Sequence, residues 1–132
     1  MAGHTDGIVP IRIVHGLPFV SVEISANGRS VTLDNVVVDT GSASSIFSAD
    51  KMLDLGLRPS IEDALLVIAG VGGSEYAFSK VIDGIHLGHL SASSFQIEVG
   101  AMDYGFEIDG ILGMNFLRQV KARLDCDRLV LM

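Results

Sequence analysis

Alternating apolar and polar residues dominate the first part of the chain and predict β-strands. Residues 20–25 alternate in this way, and the alternation resumes at Val31 and Leu33 after Asn27-Gly28. An Asn-Gly pair readily adopts the positive φ angles of a two-residue type I′ turn. The pattern therefore predicts a β-hairpin with one buried face.

Similar signals continue along the chain and predict a mainly β fold with one or two short helices. The expected strands are 8–14, 61–69, 75–82 and 94–99, the expected helices lie within 48–56 and 114–120, and segments 122–124 and 128–131 form a closing hairpin. Pro10 places the first strand at a sheet edge. With 132 residues, 48% of them hydrophobic, and no linker-like tract, residues 1–132 are expected to form a single domain.

Two apolar runs end in tight, small-residue turns. Val36-Val37-Val38 interrupts the alternation, which indicates burial on both faces and a rigid support for the turn Asp39-Thr40-Gly41-Ser42. About seventy residues later, segment 109–117 contains a second apolar run that reaches Gly113. Asp-Thr-Gly alone is typical of an ordinary β-turn. The order of these features along the chain favours a catalytic loop over a plain turn.

Carboxylates in such turns can hydrolyse an amide when two of them share one proton. One accepts a proton from the attacking water, and the other protonates the carbonyl oxygen. Gly41 allows substrate and backbone to approach the Asp39 carboxylate closely. The Thr40 hydroxyl can bond to a neighbouring loop, and the Ser42 hydroxyl can bond to Asp39 directly.

Three motifs resemble those of the retropepsin-like aspartic proteases, in their single-domain cellular or bacterial form. They are VVVDTGSASSIF at 36–47, AGVGG at 69–73 and DGILGMNFL at 109–117. The resemblance covers the chain from about Phe19 onward and implies a closed, mostly antiparallel β fold. Segment 42–44 is Ser-Ala-Ser where retroviral members carry acidic residues, so retroviral subsite preferences do not transfer.

The resemblance also implies roles for individual residues. Asp39 corresponds to the catalytic aspartate, Thr40 to the residue that locks two active-site loops together, and Gly41 to a contact with the substrate backbone. Gly70, Val71, Gly72 and Gly73 correspond to the tip of a flap that closes over substrate. Ile111, Leu112 and Gly113 correspond to the strand that threads beneath the catalytic loop.

A single Asp-Thr-Gly cannot supply both carboxylates, so a homodimer is expected. A two-fold axis between two copies of Asp39 would bring the pair together. The other candidate carboxylates are interpreted as turn residues: Asp83, Asp103, Asp109, Asp125 and Asp127. By resemblance, the terminal segments 8–14 and 128–132 are candidates for the dimer interface.

Together these features predict an aspartic endopeptidase that cleaves extended, largely hydrophobic segments of peptides or unfolded proteins. The alternative is a peptide-binding or dimerisation module of a larger protein, with the same fold and little or no catalysis. An intact Asp39-Thr40-Gly41 favours the enzyme, because a pure binding module has no physical need for a carboxylate facing its own copy.

Composition excludes several other classes. The net charge is −7, and the nine Lys and Arg residues are scattered, which argues against nucleic-acid binding. Cys126 is the only cysteine, and the four His lack zinc-site spacing, so neither a disulfide, a metal nor another cofactor is expected. The longest apolar stretch, 64–73, is shorter than the ~20 residues a bilayer requires. We expect no membrane contact, and a cytoplasmic location is compatible.

Overall fold

The chain folds mainly as β-structure, as predicted. The computed structural model describes residues 7–70, 73–103 and 107–132, and only the backbone of 66–70 and 73–75. The strands are β1 (Val9–Pro10), β2 (Arg12–Val14), β3 (Leu17–Ala26), β4 (Arg29–Val38), β5 (Ile46–Ser48), β6 (Leu65–Gly70), β7 (Gly73–Leu87), β8 (Leu90–Gly100), β9 (Gly110–Leu112), β10 (Leu124–Asp125) and β11 (Val130–Leu131). The helices are α1 (Ala49–Met52), a 3₁₀ helix (Leu53–Leu55) and α2 (Met114–Gln119).

Eight strands form one sheet that closes on itself. Their order is β2-β3-β4-β9-β5-β8-β7-β6, and a further pairing joins β3 to β7. The first part of β3 pairs with β2, whereas Glu23–Ser25 pairs with β7. The pairs β4–β9 and β5–β8 are parallel, and the other strand pairs of this sheet are antiparallel. The expected closed, mostly antiparallel fold is confirmed.

The hairpin β3–β4 turns as its sequence predicts. Asn27 and Gly28 have φ angles of 54° and 73°, and Ala26 pairs with Arg29 across the turn. Both positive angles are those of a type I′ turn, which matches the right-handed twist of the two strands.

The first predicted strand is in fact two strands that belong to different sheets. β1 joins a three-stranded sheet in the order β1-β11-β10, whereas β2 pairs with β3. The chain crosses between them at Ile11, whose amide donates to the carbonyl of Leu129 at 2.9 Å. Pro10 lacks an amide hydrogen and lies on an outer strand, as edge positions allow.

Two other predicted boundaries shift. The strand expected from residue 61 begins at Leu65, because the Asp63 carboxylate accepts a hydrogen bond from the Ser60 amide at 2.8 Å and turns the chain there. Segment 48–56 forms α1 and then the 3₁₀ helix, and Gly56 ends it at φ 73°. Ser48 makes no side-chain cap to α1.

The core lies inside the closed sheet and beneath α2. Phe47 and Phe116 are fully buried, and the Phe116 ring meets Phe95 edge-on with centroids 5.7 Å apart. No helix in the described residues is long and apolar enough to cross a membrane.

Replacing Phe116 with Ala should lower the free energy of unfolding by about 3–5 kcal/mol, since it leaves a cavity where two aromatic rings meet. Val81, which is 63% exposed in β7, provides the control. Its replacement by Ala should cost less than about 1 kcal/mol. Urea denaturation measures both, and equal costs would contradict the assigned core.

Candidate active site

Asp39 directly follows strand β4, which pairs in parallel with β9. Its amide donates to the carbonyl of Leu112 in β9 at 3.0 Å, so the β4–β9 ladder extends to this residue. The carboxylate oxygen Oδ1 accepts a hydrogen bond from the Gly41 amide at 2.9 Å. The turn closes through the Ser42 amide, which donates to the Asp39 carbonyl at 3.2 Å. The half-buried carboxylate is therefore held by backbone on a rigid element.

The three residues after Asp39 take different positions. Gly41 is exposed, and a Cβ there would lie 3.2 Å from Asp39 Oδ1, so a larger residue would crowd the carboxylate. Thr40 is exposed, and its hydroxyl makes no hydrogen bond within the described part of the chain. The Ser42 hydroxyl does not bond to Asp39 and instead donates to the carbonyl of Ser44 at 2.7 Å.

Gly113 passes directly beneath the loop that follows Asp39. A Cβ at this position would lie 2.0 Å from the Ser44 carbonyl oxygen, so only glycine fits. The first amides of α2 then bond to the same loop: Met114 donates to the Ser42 carbonyl at 2.7 Å, and Asn115 to the Ala43 carbonyl at 3.2 Å. Helix amides normally left without partners are thus satisfied by the loop.

Ser45 and Asn115 also fix this loop, and sequence reasoning missed both. The fully buried Ser45 hydroxyl accepts from the Gly113 amide at 2.9 Å and donates to Asn115 Oδ1 at 2.7 Å. Asn115 Oδ1 also accepts from the Phe116 amide at 2.9 Å. Seventy residues separate the two side chains, so no local pattern signals the pairing.

Ile111 and Leu112 point in opposite directions from β9. Leu112 is fully buried in the main core. Ile111 is half-buried and pairs with Val37 on one side and Ile46 on the other, so these three side chains share the other face of the sheet.

A second, smaller apolar cluster occupies that face and lies apart from the main core. It consists of Phe19, Val37 and Ile108, with Leu17 and Met102 packed against it. Val37 and Asp39 are two residues apart on one strand, so their side chains point to the same side. The buried cluster therefore lies on the same face as the Asp39 carboxylate, with the half-buried Leu17 and Met102 packed against it.

Asp109 is not the turn residue that its sequence suggested. It is 4% exposed, and its Oδ2 accepts from the amide of Asn35 at 3.2 Å, while Lys51 Nζ lies 4.0 Å from Oδ1. Asn35 precedes Asp39 by four strand residues, which corresponds to about 13 Å along the strand. Asp109 thus joins β4 to β9 and is too far away to share a proton with Asp39.

The other candidate carboxylates lie in surface positions. Asp83 is exposed within strand β7, which corrects its interpretation as a turn residue, and Asp103 is exposed in a loop. Asp125 does form a turn, because its Oδ1 accepts from the amides of Asp127 and Arg128, each at 3.0 Å. No cluster of His, Cys, Asp or Glu able to hold a metal ion occurs among the described residues.

The glycine-rich segment joins β6 and β7, whose pairing extends to Gly70 opposite Gly73. Val71 and Gly72 lie outside the described residues. The base of this hairpin is anchored by Lys80, whose Nζ lies 3.0 Å from Asp63. Desolvation raises the pKa of Asp63, but the hydrogen bonds from Lys80 and Ser60 outweigh it and leave that pKa below its usual value.

Comparisons with known proteins agree with this architecture. A family model described as Aspartyl protease matches residues 20–116. The crystal structure of a retropepsin-like aspartic protease from Rickettsia conorii matches with a TM-score of 0.68 and 19% sequence identity, over 95% of this chain and 96% of that chain. At this identity the likeness shows the fold, which is retropepsin-like as predicted. No curated protein matches the chain.

Replacing Gly113 with Ala should destabilise the protein by about 1–3 kcal/mol or more, since the added methyl group meets backbone that cannot move freely. Gly84 is the matched control, because a Cβ there meets the rotatable Ser25 hydroxyl at 3.1 Å. Its replacement by Ala should change the free energy of unfolding by less than about 1 kcal/mol. Thermal and urea unfolding measure both variants, and a stable Gly113→Ala protein would contradict the threaded arrangement.

Proposed function

Since this chain belongs to the aspartyl protease family, whose model matches residues 20–116, we propose that it is an aspartic endopeptidase active as a homodimer. Each subunit contributes one Asp39 to a pair of carboxylates that shares a single proton. The observation that carries this proposal is the turn at Asp39. The Asp39 carboxylate accepts a hydrogen bond from the Gly41 amide, and the Asp39 amide donates to the carbonyl of Leu112, directly before Gly113.

The proposed reaction is hydrolysis of a peptide bond by a water molecule. The ionised carboxylate accepts a proton from water as its oxygen attacks the scissile carbonyl, and the protonated carboxyl of the other subunit donates to the carbonyl oxygen. Proton transfer to the amide nitrogen then lets the C–N bond break. In this scheme each Asp39 serves as an acid in one step and as a base in another.

The need for two subunits follows from the distribution of carboxylates in one chain. The buried Asp109 lies about 13 Å along the sheet from Asp39 and is engaged with Asn35 and Lys51. Asp83 and Asp103 are exposed elsewhere, and Asp125 closes the terminal turn. A second copy of Asp39 is therefore the partner that this chain can offer.

The proposed substrate is an extended, largely apolar peptide. The small cluster around Phe19, Val37 and Ile108 lines the face that carries Asp39 and is separate from the main core. Apolar side chains of a bound strand can pack against the half-buried Leu17 and Met102, which cover this cluster, while the β6–β7 hairpin acts as the flap that closes over the peptide backbone. By resemblance, Gly70, Val71, Gly72 and Gly73 correspond to the tip of that proposed flap.

Replacing Asp39 with Asn should reduce the turnover number by about 10²–10⁴-fold, because the amide can neither accept the proton from water nor share one with its partner. The dimer should stay folded. Asp83→Asn is the control, since it makes the same change at an exposed position and should leave cleavage of an unfolded protein unchanged. Full activity of the Asp39→Asn variant would place the chemistry elsewhere, and inactivity of the wild-type dimer would favour the non-catalytic binding module.

Mixing wild-type protein with the Asp39→Asn variant tests whether the pair is shared between subunits. With a ninefold excess of the variant and free exchange, about one tenth of wild-type chains keep a wild-type partner, so activity per wild-type chain should fall roughly tenfold. A competent monomer would instead keep its activity at every mixing ratio. Peptide cleavage measured after overnight exchange distinguishes the two.

A further inference from the structure

Asp109 is a buried charged residue that the proposed reaction does not use. Among the residues that the structure describes, Ser45 and Asp109 are the buried polar ones, and only Asp109 carries an acidic group. A carboxylate taken out of water is costly unless it is hydrogen-bonded or paired with a cation. The contacts that offset this cost show which parts of the fold the side chain holds together.

The Asp109 carboxylate connects two elements that are distant in sequence. Its Oδ2 accepts a hydrogen bond from the amide of Asn35 in β4 at 3.2 Å, and its Oδ1 lies 4.0 Å from Nζ of Lys51 in α1. The backbone adds two further bonds, each at 2.8 Å: the Asp109 amide donates to the Asn35 carbonyl, and the Asp109 carbonyl accepts from the Ser48 amide. Asp109 is thus attached to β4, to the end of β5 and to α1.

The chain is also closely packed just after Asp109. Gly110 is the first residue of β9, and it pairs with Val36 on one side and Phe47 on the other. A Cβ at Gly110 would lie 2.3 Å from the Phe47 ring. The backbone at 109–110 therefore has little room to shift.

Ile108 depends on this attachment for its position. It lies outside the strands, between β9 and an isolated bridge, so no strand ladder holds it. It is nevertheless only 8% exposed and belongs to the small apolar cluster on the Asp39 face, against which Met102 packs. The anchored residue next to Ile108 on the chain is Asp109.

A purely stabilising ion pair explains these contacts less well. Lys51 is 44% exposed, and its Nζ lies at the limit of ion-pair distance, so water weakens the attraction. Apolar residues in place of a buried ion pair often cost no stability. An apolar side chain cannot, however, accept the Asn35 amide and attract Lys51 at the same time. The carboxylate is therefore better suited to fixing a position than to adding stability.

We propose that Asp109 is a positioning residue for substrate binding. It holds Ile108 in place, and through Ile108 the half-buried Met102, against which an apolar side chain of the substrate packs. This inference rests on the proposed function, because it requires an extended peptide on the Asp39 face. Asp109 touches neither the peptide nor the reacting atoms, so its loss weakens peptide binding and leaves the chemical step intact.

Two replacements remove the contacts of Asp109 in steps. Asp109→Asn keeps an oxygen for the Asn35 amide and loses the charge opposite Lys51, whereas Asp109→Ala loses both. KM for an apolar peptide should rise about threefold in the Asn variant and at least about tenfold in the Ala variant, with turnover numbers within about twofold of the wild type. Lys51→Met removes the other partner and should raise KM about as much as Asp109→Asn does.

Leu87→Ala is the control for a loss of stability alone. Leu87 is 4% exposed in the main core and pairs with Leu90 beside the turn between β7 and β8. This variant should unfold at a lower urea concentration, yet its KM should equal that of the wild type. If Asp109→Ala does not unfold cooperatively, the Asp109→Asn and Lys51→Met variants carry the test.

Two further measurements do not depend on catalysis. Amide hydrogens in fragments that contain Met102 or Ile108 should exchange at least about fivefold faster in Asp109→Ala than in Leu87→Ala, because the local anchor is lost. The same peptide, labelled with a fluorophore and bound uncleaved by the Asp39→Asn protein, should bind more weakly when an Asp109 replacement is added. The loss of affinity should match the rise in KM.

An unchanged KM in Asp109→Ala, a fall in turnover number at constant KM, or unchanged exchange around Ile108 would overturn the positioning role. The proposed function fails separately, if the wild-type protein cleaves no peptide. In that case weaker peptide binding by the Asp109 variants, together with faster exchange, would still support the inference. Absence of peptide binding to the wild type would overturn both.

Discussion

The passage of Gly113 beneath the loop at residues 42–45 is the constraint on which the rest of the site depends. A side chain at this position would overlap the Ser44 carbonyl, and the next two amides bond to the Ser42 and Ala43 carbonyls. Helix α2, with six residues, is too short to be stable alone. Its stability comes from those loop carbonyls and from the burial of Phe116 and Leu117. The loop and the helix therefore hold each other, and Asp39 is fixed by both.

Strand β4 separates the two apolar regions of the molecule. Val36 and Val38 belong to the main core, whereas Val37 belongs to the small cluster with Phe19 and Ile108. A strand buried on both faces has little freedom to bend or slip in register. Val36 and Val38 thus hold Asp39 rigidly against the main core, while Val37 belongs to the apolar cluster on the side of the Asp39 carboxylate. Strand β4 therefore contributes both to stability and to the proposed substrate-binding face. Because both of its faces are buried, the alternation of apolar and polar residues stops at Val36.

Features set by neighbouring residues could be predicted from the sequence, and features set by distant contacts could not. The turn at Asn27-Gly28 depends on local φ angles, and the supporting strand beneath Asp39 was visible as an apolar run. Closure of the sheet depends on Glu23–Ser25 meeting β7 some sixty residues later, which no local pattern reports. The Ser45–Asn115 bond and the buried Asp109 were missed for the same reason. Ser42 was assigned to Asp39 by proximity, but the Ser44 carbonyl offered its hydroxyl a better-placed acceptor.

The terminal sheet also affects how folding and assembly are related. Because β11 has both of its strand neighbours in its own chain, separating two subunits would leave no unpaired strand at the centre of that sheet. A single chain can then be folded without a partner, with Leu131 already buried in the core. In the proposed homodimer, the completeness of the carboxylate pair would therefore follow the monomer–dimer equilibrium and not the stability of the fold.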